Sequence, residues 1–142
     1  MTASTQTESA IRVISIDHIS IIVRDLEASR HFYVDILGMQ QVPRPAFKFP
    51  GLWFQAGATL VHLIGEHPGS APAGYQEPAE KAGTLRVGHF AFGVEDAYAA
   101  LETLKQCGVR LRGNPSMRPD GYLQVFCYDP DGHVVELFSR AR

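Results

Sequence analysis

The stretch that decides the fold reads DHISIIVRD over residues 17–25, and it returns in outline as GHFAFGVED over residues 88–96. In each copy a histidine opens a run of strand-forming residues, and an aspartate follows where we predict a helix to begin. Strand alternation places His18 on one face with Ser20 and Ile22, and the aliphatic residues between them on the opposite face. His89 likewise shares a face with small residues. Such a face either meets solvent or lines a cavity, and the pattern fits both.

The first half of the chain predicts one strand, one helix and three further strands. Asp25 is a suitable residue to begin the helix, and Gly38 is a suitable residue to end it. Residues 1–12 predict a flexible N-terminal tail. The predicted elements are a strand at 13–23, a helix at 26–37, and strands at 39–42, 52–56 and 59–64.

The second half predicts the same order of elements. Asp96 begins its helix, Gly108 follows it, and a loop covers residues 113–121. The predicted strands lie at 87–94, 109–111, 122–128 and 133–139. An internal repeat of a βαβββ unit explains this order, with module one at 13–65, a connection at 66–86 and module two at 87–142. The fold class is therefore α+β, in a single domain covering 13–142.

The composition of the chain narrows the classes of function that it could have. The 142 residues are 45% hydrophobic and 20% charged, which is typical of one globular domain. A net charge of −2 without a basic run argues against nucleic-acid binding. No apolar stretch approaches the ~20 residues that cross a membrane. The two cysteines, Cys107 and Cys127, have no metal-binding or redox spacing, so we expect reduced thiols and a cytoplasmic protein.

Each half also ends in an apolar strand that one polar side chain interrupts. These side chains are His62 in the first half and Glu136 in the second. Burying them unpaired would cost several kcal/mol, which a shared divalent cation would offset. With His18 and His89 they make three imidazoles and one carboxylate, a set that suits Zn, Ni, Co, Mn or Fe better than Mg or Ca.

A structural role is the alternative for each residue taken singly. A lone strand histidine is more often a hydrogen-bonded core or surface residue than a ligand, and Glu136 could pair with an arginine. The symmetry favours the metal site, because the four candidates occupy the first and last strands of both halves of a repeat.

The chain resembles the vicinal-oxygen-chelate superfamily, which includes glyoxalase I, extradiol dioxygenases, methylmalonyl-CoA epimerase and fosfomycin-resistance proteins. The resemblance rests on DHISIIVRDLE at 17–27, FYVDILGM at 32–39, GHFAFGVED at 88–96 and YDPDGHVVEL at 128–137. RPxFxFxGxW at 44–53 and VHLI at 61–64 are similar to a short glyoxalase-I-like subgroup. The resemblance implies that the two modules form a cupped mixed sheet around one divalent metal ion, which a small substrate chelates through two adjacent oxygens.

Carried onto this sequence, the family's metal ligands fall on His18, His62, His89 and Glu136. In a glyoxalase-type lyase or isomerase, Glu136 would also be the base that removes the proton beside a metal-polarised carbonyl, giving an enediolate. Related short proteins complete their cups across a two-fold axis, so the resemblance also implies a homodimer.

The chain departs from glyoxalase I at three positions. His62 stands where glyoxalase I has a second glutamate, and its two glutathione-contacting positions fall on Ile22 and Glu66. Two other functions therefore stay open. An extradiol iron dioxygenase acting on a catechol-like aromatic would use His18, His89 and Glu136. A non-catalytic relative would use the cup to bind a ligand or an antibiotic.

Candidate pocket residues follow from strand parity and loop position. Phe47, Phe49, Trp53 and Phe54 are predicted to wall an apolar substrate, with core packing or dimer contact as the alternative. Tyr122, Gln124 and Phe126 share one strand face that is predicted to look into the cup. Arg118 lies in a loop from which it could hold a substrate carboxylate, with a solvated surface charge as the alternative.

Overall fold

The first module contains four strands and one helical segment. The computed structural model describes residues 9–81 and 83–142. In module one, helix α1 (Leu26–Arg30) continues directly into a π-helical turn at His31–Ile36. The strands are β1 (His18–Val23), β2 (Gln40–Val42), β3 (Gly51–Ala56) and β4 (Thr59–Gly65).

The second module repeats this order, after a short 3₁₀ helix at Ala79–Lys81 in the connection. Its helix is α2 (Ala97–Gln106). Its strands are β5 (Phe90–Gly93), β6 (Ser116–Met117), β7 (Tyr122–Tyr128) and β8 (Val134–Arg140). Among the described residues, no helix is both long and apolar enough to cross a membrane.

Each module forms one four-stranded mixed sheet. The strand orders are β1-β4-β3-β2 and β5-β8-β7-β6, so β1 and β5 are edge strands. β1 runs parallel to β4 and β5 runs parallel to β8, and the remaining strand pairs are antiparallel. The prediction of an α+β fold with repeated βαβββ modules is confirmed.

Both helices begin as the sequence predicts. Asp25 accepts hydrogen bonds from the backbone N–H groups of the second and third helical residues, and Asp96 does the same for α2. The first helical segment ends at Gly38, whose φ of 82° lies in the left-handed region that glycine adopts without strain.

One face of each sheet packs against the helices and forms a core shared by both modules. Val23, Val61 and Leu63 are buried in the first sheet, and Val125 and Leu137 in the second. The opposite face of each sheet is more exposed, and it carries the four candidate ligands. Strand alternation therefore places these candidate ligands on the sheet faces opposite the core.

Three local predictions were wrong. Strand 13–23 forms only from His18 onward, because no strand among the described residues pairs with residues 13–16. Residues 109–111 make only an isolated bridge between Leu111 and Cys127. The predicted loop at 113–121 contains β6, which pairs with β7. Short strands of this kind depend on a partner distant in sequence, which local patterns do not report.

Hydrogen bonds of Glu77 hold the connection between the modules against the second module. Its Oε1 accepts hydrogen bonds from Arg112 Nε at 2.7 Å and Tyr128 Oη at 3.0 Å, and its Oε2 accepts one from Gly83 N at 2.6 Å. The side chain is only 5% exposed. The hydrogen bond from Arg112, followed by that from Gly83, lowers the pKa of Glu77 from 4.5 to about 2.

This ionised carboxylate predicts a pH dependence of stability. A folded-state pKa below the unfolded value stabilises the fold fully above pH 4.5, and the stabilisation is lost as the pH falls toward 2. Glu77→Gln is expected to lower the free energy of unfolding by about 2 kcal/mol at pH 7. Urea titrations of both proteins between pH 7 and pH 2 should show this difference shrinking. A difference in unfolding free energy that stays constant over this pH range would contradict the lowered pKa of Glu77.

Candidate metal centre

Three aromatic rings stack on the open face of the first sheet. His62 is the neighbour of Trp53 across the β3–β4 ladder and of Ser20 across the β1–β4 ladder. Its ring lies parallel to the Trp53 ring with centroids 4.0 Å apart, and His18 covers the other side at 4.0 Å and 13°. We call His18, His62 and Trp53 the ring stack. It fixes both imidazoles through van der Waals contact.

The two histidines of the ring stack each keep one nitrogen available. His18 Nδ1 lies 2.7 Å from Asp17 Oδ2, so the carboxylate orients the ring, and Nε2 has no hydrogen-bond partner among the described residues. His62 Nε2 is buried and has no hydrogen-bond partner among the described residues. Burial, followed by the nearby His18, lowers the pKa of His62, which favours the neutral imidazole that binds metals. An orphaned buried nitrogen is what a missing ligand bond would leave.

A second pair of candidates lies on the open face of the second sheet. His89 immediately precedes β5, and its Nε2 lies 3.0 Å from Glu136 Oε1. Gln124 Nε2 donates to the other oxygen of Glu136 at 3.1 Å. The Phe126 ring packs edge-on against His89 with centroids 5.3 Å apart. Glu136 is only 4% exposed, so its carboxylate depends on these neighbours for polar contacts.

The contacts around His89 leave a position for a proton or a metal ion at this pair. Its Nδ1 lies 3.0 Å from the carbonyl oxygen of Val87, which can only accept, so this nitrogen carries a proton. In a neutral ring Nε2 then presents a lone pair to the Glu136 carboxylate. The contact is favourable only with a proton or another cation between Nε2 and Oε1. A divalent metal ion fits this position, with Nδ1 held by a carbonyl as in protein metal sites.

The four ligand candidates form two pairs within the chain. His18 and His62 touch on the first sheet, and His89 and Glu136 touch on the second. No group of three or more His, Cys, Asp or Glu side chains that could hold a metal ion occurs in residues 9–81 and 83–142. The two halves of one chain therefore do not bring all four together. Each pair lies on the open face of its sheet beside an edge strand, and we call each pair a candidate half-site.

The aromatic candidates of the first module divide between the two faces of β3. Trp53 belongs to the ring stack, and Phe47 lies 6.2 Å from it and 5.2 Å from Phe49. Arg44 covers both phenylalanine rings at about 5 Å. Phe54 points the other way and is fully buried against Tyr33, so it is a core residue and not a pocket wall. Strand alternation separates it from Trp53.

The candidates of the second module share one face as predicted. Phe126 pairs with Glu136, Gln124 with Phe138, and Tyr122 with Arg140 across the β7–β8 ladder. Arg118 lies over the rings of Tyr122 and Phe138, with its guanidinium carbon 5.0 and 5.5 Å from their centroids. It also forms an ion pair with Asp120. This arginine therefore reaches the open face but already has an anionic partner.

Sequence reasoning missed Asp17 as an orienting residue. An acidic residue directly before a candidate ligand histidine was the available signal. We expect Asp17→Asn to lower metal affinity about tenfold, because the amide no longer holds the His18 ring as a charged acceptor does. Calorimetric titration of the metal-free protein would measure this change, with Asp120→Asn as the matched control. Unchanged affinity in Asp17→Asn would contradict the role.

Comparisons with known proteins agree with this architecture. The Glyoxalase/Bleomycin resistance protein/Dioxygenase superfamily matches residues 15–137. The chain is 30% identical to lactoylglutathione lyase of Haemophilus influenzae over 128 residues, covering 86% of this chain and 90% of that protein. It is 31% identical to ethylmalonyl-CoA/methylmalonyl-CoA epimerase of Cereibacter sphaeroides over 132 residues, covering 86% and 95%. A crystal structure of a glyoxalase/dioxygenase from Nostoc punctiforme superposes with a TM-score of 0.72 and 25% identity, covering both chains fully. The chain belongs to the Glyoxalase/Bleomycin resistance protein/Dioxygenase superfamily.

Proposed function

We propose that the protein is a metal-dependent lyase or isomerase of glyoxalase type. It would act by proton transfer on a small α-oxygenated carbonyl compound. The observation that carries the proposal is the pair of half-sites, each with two candidate ligands on an open sheet face. Relatives named as a lyase and an epimerase support proton-transfer chemistry in general.

The metal would be held between two copies of the chain. His18 and His62 of one copy and His89 and Glu136 of the other make the three-imidazole, one-carboxylate set, which suits Zn, Ni, Co, Mn or Fe. A homodimer with a two-fold axis supplies both pairs twice and leaves no half-site unmatched. In that position the metal would act as a Lewis acid that polarises the substrate carbonyl.

Glu136 would be the residue that moves the proton. A proton would leave the hydroxyl-bearing carbon beside the carbonyl for a carboxylate oxygen of Glu136 and return to the former carbonyl carbon, while the hydroxyl proton passes to the other oxygen, so the substrate is isomerised with no other reactant. Gln124 holds Oε2 at 3.1 Å, and this orients the carboxylate during both transfers.

Phe47, Phe49, Trp53, Tyr122 and Phe126 are proposed as apolar walls for the substrate. The positions corresponding to glutathione contacts are Ile22 and Glu66, so a thiol partner other than glutathione fits this chain better. Arg118 would hold a substrate carboxylate only if that carboxylate replaced Asp120 as its ion-pair partner.

An extradiol dioxygenase is the second candidate. One observation favours it: His62 is sandwiched between His18 and Trp53, which suits a packing role and leaves two histidines and one carboxylate as ligands. Such a set is typical of non-heme iron(II) enzymes that use oxygen. Bound iron, together with oxygen consumption when catechols are added, would indicate this function.

Elemental analysis of the purified protein tests the proposal. We expect about one metal ion per chain in the wild type, a clearly lower metal content in His62→Ala, and the wild-type content in the exposed His31→Ala. Equal metal content in wild type and His62→Ala would remove His62 from the ligand set. Failure of the wild type to bind any of the five metals would favour the non-catalytic binder.

A further inference from the structure

Arg44 places a positive charge beside the ring stack. The residue lies in the loop between β2 and β3, and its guanidinium carbon is 5.0 Å from the ring centroid of Phe47 and 4.9 Å from that of Phe49. Its Nη2 donates a hydrogen bond to the carbonyl oxygen of Phe49 at 2.9 Å, which is a neutral acceptor. The Phe47 ring in turn lies 6.2 Å from the ring of Trp53. These contacts hold the guanidinium at the edge of the candidate metal centre.

The guanidinium lies over the open face of the first sheet, one row of side chains away from His62. A Cβ atom on Gly51 would lie 2.9 Å from both Nε and Nη2 of Arg44, so glycine leaves room for the guanidinium over β3. Gly51 pairs with Ile64 across the β3–β4 ladder, and the next residue on the same face, Trp53, pairs with His62. Two residues along a strand span about 7 Å. Burial is the largest cause of the lowered pKa of His62, and the charge of Arg44 contributes to it.

The positive charge of Arg44 has no anionic partner within residues 9–81 and 83–142. The arginines that form ion pairs are instead Arg24, Arg30, Arg112, Arg118 and Arg142. The Arg44 side chain is also half-buried in its loop. A cation that has lost part of its water without gaining a carboxylate is destabilised. This position would therefore be stabilised by a bound anion.

The surroundings of the guanidinium favour a carboxylate on an apolar molecule. A guanidinium has five N–H donors, so Arg44 can hold the Phe49 carbonyl and still bind both oxygens of a carboxylate. A phosphate group carries up to two negative charges, which exceeds the single charge of Arg44. The Phe47 ring beside the guanidinium is 46% exposed, and it offers an apolar contact surface for the rest of the molecule.

We propose that Arg44 binds a carboxylate group of the substrate, which narrows the substrate class to α-oxygenated carbonyl compounds that carry an acid on an apolar side group. The inference rests on the proposed function, which supplies the reacting carbonyl group at the candidate half-site. About 7 Å separates the row of Arg44 from the row of His62, so the acid belongs on the side group and not on the reacting carbons. Phe47 contacts the apolar part between these two ends.

Ligand titrations of the full-length protein, followed by tryptophan fluorescence, test the proposal. Trp53 is the single tryptophan of the chain, so its emission reports binding at the ring stack without any turnover. The probes are cinnamate and its neutral amide, cinnamamide, which have the same shape and differ in charge. We expect the wild type to bind cinnamate at least tenfold more tightly than cinnamamide.

Three variants identify the source of this discrimination. Arg44→Gln should bind both probes alike, with the wild-type affinity for cinnamamide. Arg44→Lys keeps the charge but cannot form two parallel hydrogen bonds, so it should retain part of the discrimination. Lys48→Gln removes an exposed cation from the same loop and should discriminate as the wild type does.

Equal binding of the two probes by the wild type would overturn the inference. Equally weakened binding of both probes by Arg44→Gln would also overturn it, because Arg44 would then only hold its loop in place. A loss of discrimination in Lys48→Gln as large as that in Arg44→Gln would overturn it as well, since any cation of the loop would then suffice.

Metal content and proton exchange measured on the same samples separate this inference from the proposed function. A metal-loaded protein that catalyses proton exchange but does not discriminate between the probes refutes only the role of Arg44. A protein that discriminates but binds none of the five metals refutes the proposed function and supports carboxylate binding by Arg44.

Discussion

Replacing Asp129 with alanine is expected to lower the free energy of unfolding by about 3–5 kcal/mol. The Asp129 side chain is completely buried at the turn before β8. It accepts hydrogen bonds from Tyr33 Oη at 2.7 Å, from the backbone N–H groups of Asp131 and His133, and from His133 Nδ1 at 2.8 Å. Because Tyr33 belongs to module one, the same carboxylate joins the two modules. Removing it leaves several buried donors unpaired.

Urea titration monitored by circular dichroism would measure this loss. Tyr33→Phe, which removes only one of the four bonds, should cost about 1 kcal/mol. Asp120→Ala, on a half-exposed aspartate in a nearby loop, should cost less than about 0.5 kcal/mol. A loss below about 1 kcal/mol for Asp129→Ala would show that the buried hydrogen bonds do not hold the turn.

Glu136→Gln is expected to lower the proton-transfer rate by about a factor of 10³. The amide cannot accept a proton from carbon, although it keeps the size of the side chain and can still contact Gln124 and His89. Metal affinity should also fall, because a neutral oxygen replaces the single carboxylate of the proposed set.

The rate can be followed as exchange of the substrate proton with deuterium from solvent, using adducts of 2-oxoaldehydes with small thiols at saturating metal. Glu102→Gln, on the exposed side of α2, is the matched control and should retain the full rate. Wild-type exchange in metal-loaded Glu136→Gln would place the base elsewhere.

Much of the fold could be predicted from the sequence because its signals are local. Asp25 and Asp96 precede apolar residues at helical spacing, and their side chains cap the helices as the spacing indicates. The period-two pattern of β7 gave its boundaries, Tyr122–Tyr128, without error. Alternation also placed His18 and His89 on the less buried faces of their sheets, opposite the core.

The errors fall where structure depends on distant partners. Residues 13–16 have strand propensity but pair with no strand in the part of the chain that the structure describes, and β6 exists only through its pairing with β7. Phe54 and Trp53 are adjacent in sequence, and only the orientation of β3 decides which of them is in the core. The wide π-helical turn is closed by a hydrogen bond from Leu37 N to Phe32 O, and no residue pattern predicted this bond.

The candidate site was predictable as a set of residues but not as an arrangement. The repeat identified all four ligand candidates, and the structure places them two by two. The ring stack depends on the register of three strands, so a one-residue shift would have separated His62 from both of its neighbours. The contacts of Asp129 with Tyr33 and of Glu77 with Arg112 join parts of the chain far apart in sequence, and residue types alone could not pair them.

The most direct measurement mixes two defective proteins. One variant carries His18→Ala and His62→Ala, and the other carries His89→Ala and Glu136→Gln, so each alone lacks one half of every site. If the site joins two copies, random reassociation gives heterodimers with one intact site, and the mixture should bind about a quarter of the wild-type amount of metal. Each variant alone should bind almost none. A mixture that binds no more than the separate variants, while the wild type binds fully, would contradict the account.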